Sequence, residues 1–374
     1  MAATLRVVLD QLVAPTEPVL AEASRHLARA LVIGAPTGCE VEAIAPSGGE
    51  GDLSDVPGLA GIRRTALPRR ELAAALQLGV GTGIGGGMIH SPTLFAPLVR
   101  HDRVHENDQT VVTVWDLRPW ESRGELSRSA VAWYRAMLKR AVRFADAVVV
   151  PTHSIAERLG EIAPFGDRIR VIAGASPLGF AVPTDEVGRR RALNLPEGFV
   201  LLAGGPVPSD ALDIGLAAIV ASGVDLPVVV IDVEEGHEPA VADLAAAAGL
   251  PERRLHVRGA LETADRAAVF GAALAFVAPS RLAGFPWRAV DALTLGVPVI
   301  AADSAVHAEV VVDGGRLVPG ADAATLVDGL GEALASALGS TAAADRLAVL
   351  AGDRGRAFSW REAADKVWLL HAEL

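Results

Sequence analysis

Short apolar runs alternate along the chain with longer stretches in which apolar residues recur every three or four positions. Residues 5–9, 41–45, 88–90, 110–114, 147–150 and 169–173 form the first series of runs, and residues 199–203, 227–231, 255–257, 274–277, 299–301 and 315–318 the second. Runs of this length, apolar on successive positions, predict strands of parallel sheets buried on both faces. Between the first two runs, residues 17–32 place Val19, Leu20, Ala23, Leu27 and Leu31 at helical spacing, and residues 127–144 predict a second amphipathic helix. Strand–helix alternation repeated twice predicts an α/β chain with two doubly wound parallel sheets, and residues 174–183 read as the linker between them.

The stretch 278–298 carries the strongest local signal. It reads as the end of a strand, a tight loop with Gly284, a helix over about 287–295 and a further strand opening at Val299. A loop that leads from the carboxyl end of a parallel strand into a helix presents free N–H groups and a positive dipole end, a suitable place for a phosphate. A glycine run over 79–87, with Gly81, Gly83, Gly85 and Gly86, formally matches a dinucleotide fingerprint but precedes its strand instead of following one, so a flexible connector is the better reading. His90 closes a strand at the carboxyl edge, where open α/β sheets bind ligands; a hydrogen-bonded histidine in a capped loop is the alternative. His101, Asp102, His105 and Glu106 lie in polar, unpatterned sequence and read as a solvated loop, not a metal site.

Pro279-Ser280, Gly284-Phe285, Asp291-Ala292 and Gly296-Val297-Pro298-Val299-Ile300 resemble the donor-sugar motif of the retaining GT-B glycosyltransferases related to sucrose synthase and bacterial mannosyltransferases, family 4 in the usual classification. The resemblance extends in order over nearly the whole chain, through Trp115-Asp116-Leu117, the strand and hydroxyl cap around Thr152, Glu309, and the closing Phe358-Ser359-Trp360. It implies two Rossmann-like domains facing across a cleft: an acceptor-side domain over 1–178, a nucleotide-sugar donor domain over 179–357, and a helix over 358–374 crossing back to the first domain.

What the resemblance implies for the site is specific. Asp291 would hold the ribose hydroxyls, the Gly284 and Phe285 amides would meet phosphate or sugar, and Arg281 or Arg288 would supply positive charge. Gly204, Gly205 and Leu261 complete the donor side, and His90, Trp115 and Asp116 form the acceptor and catalytic side. The chain also departs from the family pattern. Ala283 stands where the first of two motif glutamates belongs, Asp291 where the second does, and Trp115 where a histidine does; the Ser209-Asp210 pair replaces a basic pair. An indole stacks on a sugar but cannot shuttle a proton, and a carboxylate beside a diphosphate repels it. Pro286 adds no N–H to a loop that works through its amides.

The activity so implied is transfer of a sugar from a nucleotide diphosphate sugar to a hydroxyl acceptor with retention, in cell-surface polysaccharide or glycolipid assembly, with no cofactor and no metal. The alternative is a non-catalytic GT-B protein that stabilises or regulates an active glycosyltransferase partner; a nucleotide-sugar epimerase of the same architecture is a third reading, disfavoured by the loss of ionisable groups.

Composition narrows these readings. With 374 residues the chain accommodates two domains, each large enough for its own core. A net charge of −11 argues against a broad nucleic-acid-binding face. Cys39 is the only cysteine, so there is no intrachain disulfide, and lysine occurs only at 139 and 366, the arginine bias expected of a GC-rich bacterial genome. No apolar run approaches a transmembrane span and the opening residues lack a signal peptide's pattern, so a cytoplasmic protein is expected, with peripheral contact at the inner membrane face left open.

Overall fold

The computed structural model describes residues 3–48, 53–80 and 83–374. Gly81 and Thr82 of the glycine run lie outside the described residues. The chain forms two compact units, Met1–Gly174 with Ser359–Leu374, and Ala175–Phe358.

The first unit is built on seven strands: β1 (Ala3–Val8), β2 (Cys39–Ala45), β3 (Gly61–Arg64), β4 (Met88–Ser91), β5 (Gln109–Thr113), β6 (Ala147–Val150) and β7 (Ile169–Val171). All pair in parallel in the order β3-β2-β1-β4-β5-β6-β7. The order reverses between β1 and β4, where Val7 stands beside His90. The sequence pattern does not predict β3. It is an edge strand of Gly-Ile-Arg-Arg whose one large apolar residue, Ile62, is 49% exposed, so it lacks the buried run that marks the others. Ser359 caps the last helix, Trp360–Glu373, which packs on the helix Pro18–Ile33. Trp360 is buried and the Trp368 indole donates to Leu31 O at 3.2 Å, so apolar burial and a backbone tie both hold this helix on the first unit.

The second unit has six parallel strands: β8 (Phe199–Ala203), β9 (Val228–Ile231), β10 (Leu255–Val257), β11 (Ala273–Ala278), β12 (Val299–Ala302) and β13 (Gly315–Val318), in the order β10-β9-β8-β11-β12-β13. This is the 3-2-1-4-5-6 order of a doubly wound nucleotide-binding sheet, with the reversal between β8 and β11. Its core is continuous: Val200, Leu202, Val228, Val230, Ala275, Val277 and Ile300 from the strands meet Leu216, Ile219, Leu330 and Leu334 from the helices Leu212–Ala221 and Ala323–Leu338. Ligands of such sheets bind outside the carboxyl ends of the strands at the reversal, so the fold directs attention to the loops after Ala203 and Ala278. Among the described residues no helix is long and apolar enough to cross a membrane.

Candidate functional site

At the carboxyl end of β8 the chain turns through Gly204 at φ +122°, a conformation open to glycine, and a Cβ there would lie 2.6 Å from Asp210 Oδ2. Asp210 reaches back over this turn, and its carboxylate accepts the Gly205 amide at 2.7 Å. Ala211, also left-handed at φ 53°, ends the loop and opens the helix Leu212–Ala221. Across the reversal, Ser280 Oγ donates to Ser209 O at 2.6 Å and accepts the Leu282 amide at 3.2 Å, which ties the two loops together.

The loop after β11 is closely filled. Gly284 N donates to Leu282 O at 2.9 Å, Trp287 N donates to Phe285 O at 2.9 Å, and Pro286 has no N–H to give. The Phe285 side chain is buried, edge-on to Trp287 with ring centroids 4.7 Å apart and near Phe358 at 6.2 Å. Arg281 extends to an exposed tie with Gly320 O at 2.7 Å.

Arg288, in the first turn of the helix Trp287–Thr294, links three elements. Its Nε and Nη2 donate to the Asp232 carboxylate at 2.5 and 3.3 Å, and Nη1 donates to Asp291 Oδ2 at 2.9 Å. Asp291 Oδ2 also lies 3.0 Å from Arg266 Nε, and the Arg266 guanidinium stacks over Phe180 at 5.4 Å. The Asp291 and Arg266 side chains are only 3% and 4% exposed. Asp291 therefore neutralises two arginines in the interior of the unit, whereas Asp232, at the carboxyl end of β9, keeps a 23% exposed side chain. Leu261, half-buried, follows β10 at the same edge.

In the first unit the carboxyl edge holds a polar network of its own. Asp10, two residues past β1, is buried; Arg69 Nε donates to its Oδ2 at 2.9 Å and Gln11 Nε2 at 2.8 Å. Burial raises the Asp10 pKa, against the opposing pull of Arg69 and Gln11. Asp116 Oδ1 accepts the Arg118 amide at 2.9 Å, an Asx-type turn, and Oδ2 accepts Arg118 Nη2 at 3.1 Å. The same guanidinium meets Glu17 at 2.5 Å. Burial lowers the Arg118 pKa, but Asp116 and Glu17 outweigh it and raise the net value. Burial, then Glu17 and Asp116, push the Tyr134 phenol upward, so it remains a hydrogen-bond donor at neutral pH. Trp115 is buried, donates from Nε1 to Pro92 O at 2.8 Å, and stands edge-on to Trp360. Trp115, Asp116 and Tyr134 line a cavity of about 30 Å³, space for a water and not for a sugar.

His90 is not at this edge. Its ring is fully buried on the sheet face covered by the last helix, with its centroid 5.6 Å from that of His371. Side chains alternate across a strand, and β4 turns His90 inward to that covered face. The structure thus gathers Gly204, Gly205, Gly284, Phe285, Arg288 and Asp291 on the second unit, with Leu261 on the flank and Arg281 facing outward; Trp115 and Asp116 belong to one network on the first, which His90 does not join.

Sequence reasoning missed Asp232, Arg266 and the Asp10–Arg69 pair. Asp10 and Asp232 shared a usable signal, because each is the first carboxylate after an apolar strand run and so marks a carboxyl edge. Nothing local marked Arg266, whose partner is 25 positions away (291 − 266). Residues 84–87 of the glycine run are tied by side chains: Arg6 donates to Gly86 O, Arg63 to Ile84 O at 3.0 Å, and Asp108 accepts the Gly87 amide. Among the described residues no group of three or more His, Cys, Asp or Glu could hold a metal ion.

The fold agrees with known structures. Sucrose-phosphate synthase from Thermosynechococcus elongatus is similar over 99% of this chain and 98% of its own, with a TM-score of 0.74 and 20% identity. Anabaena HepE, solved in complex with UDP and glucose, matches over 100% of both chains with a TM-score of 0.72 and 15% identity. WaaG, a glycosyltransferase involved in lipopolysaccharide biosynthesis, matches over 97% of this chain and 98% of its own, with a TM-score of 0.66 and 15% identity. No curated protein sequence is significantly similar to this chain. Two Rossmann-like parallel-sheet domains of this kind define the GT-B class of glycosyltransferases. Residues 211–346 match the family of glycosyl transferases group 1, so the second unit carries a glycosyltransferase domain.

Proposed function

We propose that the protein transfers a sugar from a nucleotide diphosphate sugar to a hydroxyl acceptor with retention of configuration, in the assembly of a cell-surface polysaccharide or glycolipid. The observation that carries this reading is the position of Arg288, whose guanidinium extends from the helix after β11 to the end of β9 and so spans the carboxyl end of β8 that lies between them. A cation there stabilises the charge that develops on the departing diphosphate. The bond from the anomeric carbon to the diphosphate oxygen breaks, a bond to the acceptor oxygen forms, and the acceptor proton passes to the departing phosphate. Retention is what the resemblance of residues 279–300 to the retaining GT-B enzymes implies: the departing diphosphate takes the proton of an acceptor that arrives on its own face of the sugar.

One basic stripe supports a station at the inner face of a membrane. The exposed Arg128, Lys139 and Arg143 and the half-buried Arg135 fall within one 80° sector of the helix Arg128–Phe144 at 100° per residue, roughly the advance of an α-helix, and this helix has no carboxylate in a chain of net charge −11. Such a stripe suits anionic headgroups.

The reading is tested by incubating the protein with a panel of UDP- and GDP-sugars, following the thermal midpoint and the release of free nucleotide. A ligand specific to the folded state adds about 2.7 kcal/mol at a hundredfold excess over its dissociation constant. A shift and nucleotide release with one donor supports transfer, and the anomeric coupling of the product reports retention. A specific observation also favours the second reading, a non-catalytic partner of an active glycosyltransferase. The Asp210 carboxylate sits on the Gly205 amide, at the loop where a diphosphate would approach. A shift without turnover over any acceptor tested would favour that reading.

A further inference from the structure

We propose that Asp232, oriented by Arg288, is the residue that receives the ribose hydroxyls of the donor nucleotide. This rests on the nucleotide-sugar reading above and assigns to that site a residue outside the motif after β11. Asp232 follows β9, the neighbour of β8 on the side away from β11. In doubly wound nucleotide-binding sheets the carboxylate after the second strand is placed to accept a hydrogen bond from a ribose hydroxyl, because the phosphates are anchored one strand away.

The backbone and the partners of Asp232 fix where its carboxylate points. Its φ of +64° is in the left-handed region, uncommon for any residue with a side chain but tolerated best by Asp and Asn. Two backbone ties hold the turn, Asp232 N to Gly259 O and Val233 N to Arg258 O, both at 3.2 Å. Arg288 then engages both carboxylate oxygens, one each for Nε and Nη2. A carboxylate offers about four acceptor sites, so two remain, the number a vicinal diol requires. Asp291, the alternative, is nearly without exposure and is committed to Arg266 and Arg288.

The order of the edge gives the same assignment. Moving across β10, β9, β8 and β11, the carboxyl-end residues are Leu261, Asp232, Gly204 with Gly205, and Gly284 with Phe285. Adjacent strands lie about 4.8 Å apart, so the span is roughly 14 Å, a length that suits base, ribose, diphosphate and sugar laid across the strands in that order. In this layout Arg288 stands between the ribose and the phosphates and serves both.

Isothermal titration of the full chain with UDP and GDP, and with their 2′-deoxy counterparts, tests the assignment in the parent, Asp232→Asn and Asp291→Asn. Loss of the Asp232 charge also strengthens the Arg288 field on phosphate, so the readout is the ratio of ribo to deoxy affinity and not either affinity alone. The expected result is a preference of at least tenfold for the ribonucleotide in the parent, reduced to within threefold in Asp232→Asn and retained in Asp291→Asn. Thermal melts of each variant establish that it is folded, and Asp232→Glu, which keeps the charge, supplies a second variant expected to retain part of the preference. An unchanged ratio in Asp232→Asn, or a ratio that collapses in Asp291→Asn instead, overturns the assignment and leaves the donor reading standing. Absence of any nucleoside diphosphate binding by the parent overturns both.

Discussion

The Asp210 carboxylate accepts the Gly205 amide at 2.7 Å, so an anion supplied by the chain already occupies a donor that a glycine turn after β8 would offer to a phosphate. Arg266 and Arg288, the nearby cations of this unit, are already engaged by Asp291 and Asp232. A diphosphate approaching the loop therefore meets repulsion unless Asp210 moves aside.

Asp210→Asn removes that charge while keeping a side-chain oxygen for the Gly205 amide. Affinity for a nucleoside diphosphate should rise by roughly tenfold, about 1.4 kcal/mol, and stability should fall by about 1 kcal/mol as a charged hydrogen bond becomes neutral. Titration calorimetry and thermal melts report the two effects separately. Equal affinities in parent and variant would place the phosphates away from this loop.

Asp291 should act as a structural residue before anything else. Its replacement by Ala leaves Arg266, nearly unexposed, without its carboxylate, and breaking a buried pair by removing one partner costs about 3–5 kcal/mol. Urea unfolding of Asp291→Ala should show a loss of that size without ligand present. A loss below about 1 kcal/mol, the range of an exposed ion pair, would return Asp291 to a ligand-facing role.

Much of this architecture was legible because parallel strands are buried on both faces and leave uninterrupted apolar runs: β6, β8, β10 and β13 fall on the predicted residues 147–150, 199–203, 255–257 and 315–318. Edge strand β3 was not legible, since an exposed Gly-Ile-Arg-Arg carries no such run. The helix start at Thr152 was visible from its hydroxyl, which accepts an amide three residues on, as the hydroxyls of Ser304 and Ser359 also do. Side-chain pairing was the part that sequence could not give. Arg288 finds Asp232 across 56 positions, and His90 meets a histidine on the last helix, so both depend on which helix covers which face of a sheet. The place of His90 at a strand end puts it near the carboxyl edge, but the side to which its ring projects is set by the pleat and by the helix above it.

Gly215 tests the coupling between core and loop. A Cβ there would lie 2.7 Å from Leu202 Cδ2 and 3.1 Å from Pro279 Cγ, so it touches β8 and the first residue after β11. Gly215→Ala should destabilise by about 1–3 kcal/mol through overpacking and weaken nucleotide binding, because Pro279 begins the loop after β11. Gly188→Ala is the control: it lies in the helix Glu186–Ala192 with nothing within 4 Å of the added carbon, and should stabilise by about 0.5–1 kcal/mol. Denaturant melts of the two variants should move in opposite directions.

The buried pair His90 and His371 gives the protein an acid limit. Neither ring nitrogen of His90 has a hydrogen-bond partner among the described residues, and His371 bonds only through Nδ1, to Gln109 Oε1 at 2.8 Å. Burial lowers the pKa of both rings: His371 is lowered to about 4, partly opposed by Asp146, and His90 falls well below its usual value through burial and the adjacent His371. Below the unfolded value of about 6.5 the unfolded chain takes up protons that the folded one refuses, so stability declines as pH falls from about 6.5 toward 4. For His371 alone the decline is on the order of 3 kcal/mol at its lower end. Removing one of the two groups should flatten the dependence. His90→Leu is expected to be at least as stable as the parent at pH 7.5, since it replaces an unpartnered buried polar ring with an apolar side chain, and to lose less stability on acidification. It should leave nucleotide binding unchanged, because His90 faces the last helix and the donor loops belong to the second unit. Thermal midpoints at pH 7.5, 6, 5 and 4.5 decide the matter: parallel curves for parent and variant would show that His90 does not titrate in the folding transition, and a loss of nucleotide affinity would show that the ring has a role beyond the core.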